Sequence, residues 1–104
     1  MLNYYAIYEN STTEPPVGII ALEPAEGDAL IWDHMQEAWS YDPWTAVEFL
    51  DDFRNFERYE PISREKAEQI TPGIADGEKL PDEETILWIF QWKGEPPQHR
   101  PIRG

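Results

Sequence analysis

Between Met1 and Phe53 the chain carries eleven Asp or Glu residues and not one Lys or Arg. Half a small chain with charge of one sign repels itself on compaction, so its fold has to be held by apolar burial against that repulsion. The remaining 51 residues hold ten acids and all eight bases, a net of −2 against −11 for the first part, which together give the formal −13. The imbalance argues against direct binding to nucleic acid or to an anionic membrane, both of which need a basic footprint. It would attract and steer a positively charged partner. The plain alternative is that the charge serves solubility alone.

At 104 residues the chain is expected to form one domain with a thin core. Aromatic residues at 13% supply large buried areas and argue against disorder. With no cysteine there is no disulfide, thiolate ligand or thiol nucleophile, which suits a reducing compartment. Met1-Leu2-Asn3-Tyr4-Tyr5 has neither the basic start nor the apolar run of a signal peptide. No window approaches the length of apolar sequence that spans a bilayer. A cytoplasmic location is therefore expected.

The order of elements follows from pattern and punctuation. Asn3–Glu9 and Val17–Leu22 read as strands, separated by the turn-forming Ser11–Pro16 segment and paired as an antiparallel hairpin. In Asp28–Ser40, Ile31, Met35, Ala38 and Trp39 fall at helical spacing, which predicts a helix, although Ala29-Leu30-Ile31-Trp32 would serve equally as a short strand. Asp42-Pro43 is an N-cap followed by proline at N1 and starts a helix to about Phe53, with Trp44, Val47, Leu50 and Phe53 as its apolar row. Phe56–Ile62 suits an edge strand because Pro61 cannot donate to a ladder. Ser63 caps a further helix, expected to run to Ile70 and stop before Pro72-Gly73. Thr71–Pro81 then reads as a loop. Thr85–Trp92 follows acids suited to a helix start, but its β-branched and aromatic residues predict a buried strand with Ile86, Trp88, Phe90 and Trp92 on one face. The expected fold is α+β, with an antiparallel sheet of three to four strands packed against two to three helices. It would occupy residues 1–92, with 93–104 a Pro-rich basic tail.

The segments Tyr4-Tyr5-Ala6-Ile7-Tyr8, Trp39 to Pro43 (W-x-x-D-P) and Arg58–Ile70 (RYEPISREKAEQI) together resemble small uncharacterised bacterial proteins. Those open with a YYA-hydrophobic-Y strand and later carry a strand followed by an I-S-R-E-x-A helix. The resemblance spans about two thirds of the chain on aromatic and capping residues. It implies a small α+β fold and no site residues.

Catalytic and cofactor motifs are sparse. There is no Gly-rich phosphate loop and no G-x-G-x-x-G. Ser11, Ser40 and Ser63 lack a nucleophile-elbow context. His34 and His99 are the only histidines, so an imidazole base would have to be His34. Asp33, His34 and Glu37 are close enough in sequence for a metal, but a zinc site would need a further ligand from Asp42, Glu48 or Asp52. Ala75–Glu84 lacks the spacing of a calcium loop. No cofactor and no metal are expected.

Three of the five tryptophans, Trp32, Trp39 and Trp44, lie among six acids between Glu23 and Trp44. They could fill the core, form a protein-binding hot spot ringed by acids, or stack on a base or sugar. Trp39 and Trp44, which bracket the Asp42-Pro43 helix start, are expected in the core, and Trp32 and Tyr41 on the surface. These features favour a non-enzymatic module that neutralises a basic protein partner, of the immunity-protein or antitoxin type. Its partner-binding residues would be Asp28, Trp32, Asp33, Glu37, Tyr41, Asp42, Glu48, Asp51 and Asp52. The other readings are a DNA mimic that blocks a DNA-binding protein, a small metal-dependent or acid–base enzyme using Asp33, His34 and Glu37, and an accessory protein acidic only for solubility.

Overall fold

The structure, a computed structural model, describes residues 1–95. Of the expected basic tail, all but Lys93–Glu95 lies outside the described residues. The elements are β1 (Asn3–Ile7), β2 (Gly18–Glu23), β3 (Asp28–Asp33), β4 (Ala38–Tyr41), α1 (Pro43–Asp51), a single 3-10 turn (Phe53–Asn55), β5 (Tyr59–Ile62), α2 (Arg64–Ile74) and α3 (Glu83–Gln91). The five strands form one antiparallel sheet in the order β4-β3-β2-β1-β5. The protein is an α+β domain with one more strand than the upper end of the sequence expectation.

Strand alternation divides the sheet into two buried faces. On one, Tyr4, Ile19, Ala21, Leu30 and Trp32 pack against α2 and α3 through Ala67, Ile74, Ile86 and Phe90. On the other, Ile20 and Ala29 pack against Ala46 of α1, flanked by Ile31, Phe49 and Leu50. Because helices lie on both faces, the middle of the sheet is apolar residue after residue. Ile19, Ile20 and Ala21 are all buried, as are Ala29 and Leu30. Continuous apolar runs of this kind mark doubly covered strands.

The first departure from the sequence reading is in Asp28–Ser40. This segment is not a helix but the β3–β4 hairpin, with Leu30 paired to Tyr41 and Trp32 to Trp39. The helical spacing of Ile31, Met35, Ala38 and Trp39 is a coincidence across the hairpin turn, and the alternative of a short strand at Ala29–Trp32 is the one the fold adopts. The hairpin turns at Asp33, whose carboxylate accepts the N–H groups of Met35 and Gln36 at 2.9 and 3.2 Å. Glu37 then adopts φ 53° to return the chain.

The second departure is Thr85–Trp92, which lies in helix α3 rather than a strand. Local capping outweighs β propensity here. Asp82 accepts the Thr85 N–H at 2.8 Å, and Glu83 and Glu84 occupy the first turn, where the helix dipole favours them. The start of α3 is also tied down. Arg64 of α2 donates to the Pro81 carbonyl at 2.9 Å and to the Tyr4 hydroxyl at 3.0 Å, and that hydroxyl donates to Glu83 at 2.9 Å. Ile86 and Phe90, one turn apart, point into the core.

Third, α2 does not stop before Pro72 but runs through it to Ile74. The ring lies on the exposed side, so its missing N–H costs one hydrogen bond without burying an orphan. The buried Thr71 hydroxyl donates to the Ala67 carbonyl at 2.6 Å beside it, and the Ala75 N–H closes on Thr71 at 2.8 Å. Ser63 caps α2 as expected, accepting the Lys66 N–H at 3.0 Å. β5 is an outer strand containing Pro61, again as expected, though it begins at Tyr59 rather than Phe56. No helix among the described residues is long and apolar enough to cross a membrane.

Candidate functional site

Helix α1 begins where Asp42 accepts the Thr45 N–H at 3.1 Å and Pro43 occupies the first turn. Its inward contact is small. Ala46 is buried, and Phe49 and Leu50 are half-buried beside it. Of the row expected to be apolar and inward, Val47 and Leu50 are half-buried, while its two ends are turned outward. Trp44 is 76% exposed, and Phe53, beyond the helix end, is 75% exposed. A close approach of α1 to the sheet at Ile20 and Ala29 requires a small residue, which is why Ala46, not Trp44, sets the helix rotation.

Trp44, Val47, Glu48 and Asp51 follow the i, i+3, i+4, i+7 spacing of one helix surface. With Gly27 of the β2–β3 turn and Asp52 they line an open groove of about 620 Å³. A second hollow of about 380 Å³ adjoins it and shares Gly27, Val47 and Asp51. Tyr5, Leu22, Pro24, Leu50 and Tyr59 form the rest of its wall. That wall is braced by the Tyr59 hydroxyl, which donates to the Leu50 carbonyl at 3.1 Å, and by edge-on packing of Tyr5 on Tyr59 at 5.8 Å between ring centres. Gly27 turns the chain at φ 77° and leaves the space above it open, with nothing within 4 Å of a notional Cβ.

The three carboxylates of the groove differ. Arg54 donates to Asp52 through Nε and Nη2, the latter at 2.8 Å, and through its backbone N–H at 3.0 Å. These bonds hold the Asp52 carboxyl down to about 2. Glu48 and Asp51 enter no ion pair among the described residues. The open negative charge of the groove is theirs, set beside the apolar Trp44 and Val47.

The other expected partner-binding residues have different roles. Asp28 is 6% exposed and accepts both the Tyr41 hydroxyl and, at 3.0 Å, the Lys93 ammonium. It locks the end of α3 onto the β3–β4 hairpin and offers no surface charge. Trp32 is 6% exposed and lies edge-on against Trp39 at 5.2 Å. The assignments of Trp32 to the surface and Trp44 to the core are thus reversed. The register puts Trp32, opposite Trp39, on the face that α2 and α3 cover. Trp39 is half-buried against that core, and Tyr41 is half-buried and occupied by Asp28. Asp42 caps α1. Asp33 and Glu37 sit in the β3–β4 turn, at the far end of that hairpin from α1. Of the nine residues, Glu48, Asp51 and Asp52 come together, and Trp44 joins them.

Asp33, His34 and Glu37 do not share a helical face as the metal reading required. The His34 ring bonds the Val17 carbonyl at 2.7 Å, and Asp33 is spent on the turn. Among the described residues no three acidic or imidazole side chains converge as metal ligands would. A second apolar surface, missed in the sequence, lies on α3. Leu87, Trp88 and Trp92 are 48%, 47% and 40% exposed on a segment without charge from Thr85 to Trp92.

Compared with protein-family models, curated proteins and solved structures, the chain matches none.

Proposed function

We propose that this chain is a non-enzymatic, cytoplasmic binding module of the immunity-protein or antitoxin type, which neutralises a basic protein by holding it on the outer face of α1. The observation that carries the reading is Trp44. A tryptophan three-quarters exposed on a helix, in one row with Val47 and with the unpaired Glu48 and Asp51, has the composition of a binding hot spot. It lies in the half of the chain that has no base, so the surrounding field draws a cation in from a distance.

The test is capture of a basic protein from source lysate by the tagged chain, compared with Trp44→Ala and with Glu48→Lys/Asp51→Lys. All three positions are exposed, so the variants should fold as the parent does by far-UV circular dichroism. A protein retained by the parent at low salt, lost at high salt and lost by both variants supports the proposal. Retention by all three would refute it.

A further inference from the structure

Resting on that reading, we infer that the bound segment presents one Lys or Arg between two apolar side chains. The two hollows are not equivalent to one large one. Asp51 and Val47 line both, Trp44 lines only the first, and Leu50, Leu22 and Tyr59 line only the second. An acid therefore stands at the junction of two apolar recesses. Glu48, three residues before Asp51 on the same helix, is near enough for one cation to meet both carboxylates. Trp44 and Leu50 are six residues apart, about 9 Å along the axis, which sets the scale between the flanking apolar groups.

Charge excludes the simplest competing occupant. A second copy docked face to face would set its own Glu48 and Asp51 against these two, with no base between them. An acidic or neutral peptide would leave Glu48 and Asp51 desolvated without a counter-charge. Because Arg54 already holds Asp52, the segment needs a single central base rather than a basic cluster.

The experiment is selection of a phage-displayed random 12-residue peptide library on the immobilised full chain, followed by fluorescence anisotropy of the winning peptide. The expected consensus is apolar–basic–apolar with one to three residues between each pair. Its affinity should fall about tenfold or more with Asp51→Lys and about thirtyfold with Trp44→Ala. A consensus with its apolar residues on one side of the base, or binding indifferent to Asp51→Lys, overturns the inference. So does a dimer of the chain, seen by analytical ultracentrifugation, that Trp44→Ala abolishes. If no Trp44-dependent peptide emerges while the basic protein is still captured through Trp44, the segment is wrong and the module reading stands. If capture fails as well, both are wrong.

Discussion

The reversal of Trp32 and Trp44 can be measured directly. A tryptophan taken fully out of water removes about 150–250 Å² of surface, and at about 25 cal/mol per Å² this amounts to about 4–6 kcal/mol. Trp32, only 6% exposed and edge-on to Trp39, approaches that limit. Trp32→Ala should therefore cost about 3–5 kcal/mol, the range seen for large aromatic truncations in cores. For a domain whose whole stability is about 5–15 kcal/mol, that is about a fifth of the total or more. Trp44, 76% exposed, covers only about 60 Å², an upper bound near 1.5 kcal/mol that shrinks against a realistic unfolded chain. Alanine is also the better helix former, which returns about half a kcal/mol. Trp44→Ala should thus change stability by less than about 1 kcal/mol. Urea unfolding followed by far-UV circular dichroism separates the two. With a slope near 1 kcal/mol/M, the Trp32→Ala midpoint falls by about 3 M or the chain is unfolded outright, whereas the Trp44→Ala midpoint moves by less than about 1 M. Equal shifts, or a larger one for Trp44, would mean that α1 is rotated from its position here and would remove the basis for the groove.

Further predictions concern what holds α3 and the sheet in place. Gly94 has φ 81°, and an added Cβ would come within 2.6 Å of Tyr41 Cβ, whereas Gly27 at φ 77° has open space. Gly94→Ala should destabilise by about 2 kcal/mol or more and Gly27→Ala by about 1 kcal/mol, read as the difference in thermal midpoint. Asp28→Ala strands the Tyr41 hydroxyl and releases Lys93, and should cost about 1–3 kcal/mol in urea unfolding, with Asp28→Asn costing less because it can still accept from Tyr41. Burial and the hydrogen bond to Glu60 push the Tyr8 phenol up to about 12. Since its folded value lies above the unfolded one near 10, its contribution is full below pH 10 and lost as pH rises toward 12, which an alkaline stability profile of Tyr8→Phe against the parent should expose. Asp52 is the opposite case, with stability from pairing present above about pH 4 and lost toward pH 2. Its carboxyl titration by NMR should move upward in Arg54→Ala.

Much of the fold was legible where a single residue type has one physical use. Asp42-Pro43 and Ser63 could only be helix starts, and Pro61 could only lie on an outer strand. Asp28–Ser40 and Thr85–Trp92 were misread for different reasons. In the first, the helical spacing of Ile31, Met35, Ala38 and Trp39 is a coincidence across the hairpin turn, and a helix on each side of β3 erased the alternation that marks a strand. In the second, Asp82 and the Tyr4–Arg64–Glu83 network fixed α3 against the preference of its residues. The candidate site was half visible. Glu48, Asp51 and Asp52 stood out by charge, but Trp44 was assigned inward with the apolar row that starts at the Asp42-Pro43 cap. Helix rotation is decided by the closest contact rather than by the largest side chain. Asp28 shows the converse, since an acid among many gives no sign in sequence of being the one that is buried.

The two ends of the sheet differ in a way that gives the acids a second use. On β5 the outer rim is spoiled for further pairing by Pro61. β4 has no proline or lysine, and among the described residues its outer rim is paired to no strand. Such a rim invites identical chains to zip together. Here Asp33 and Glu37 stand at one end of β4 and Asp42 at the other, so two rims brought side by side set like charges against each other. The net charge would act as a guard against runaway polymerisation, screened once the Debye length falls to about 3 Å near 1 M salt. Light scattering of the folded protein across a salt titration should then rise at the high end. A flat trace across that titration would mean that geometry alone closes that rim.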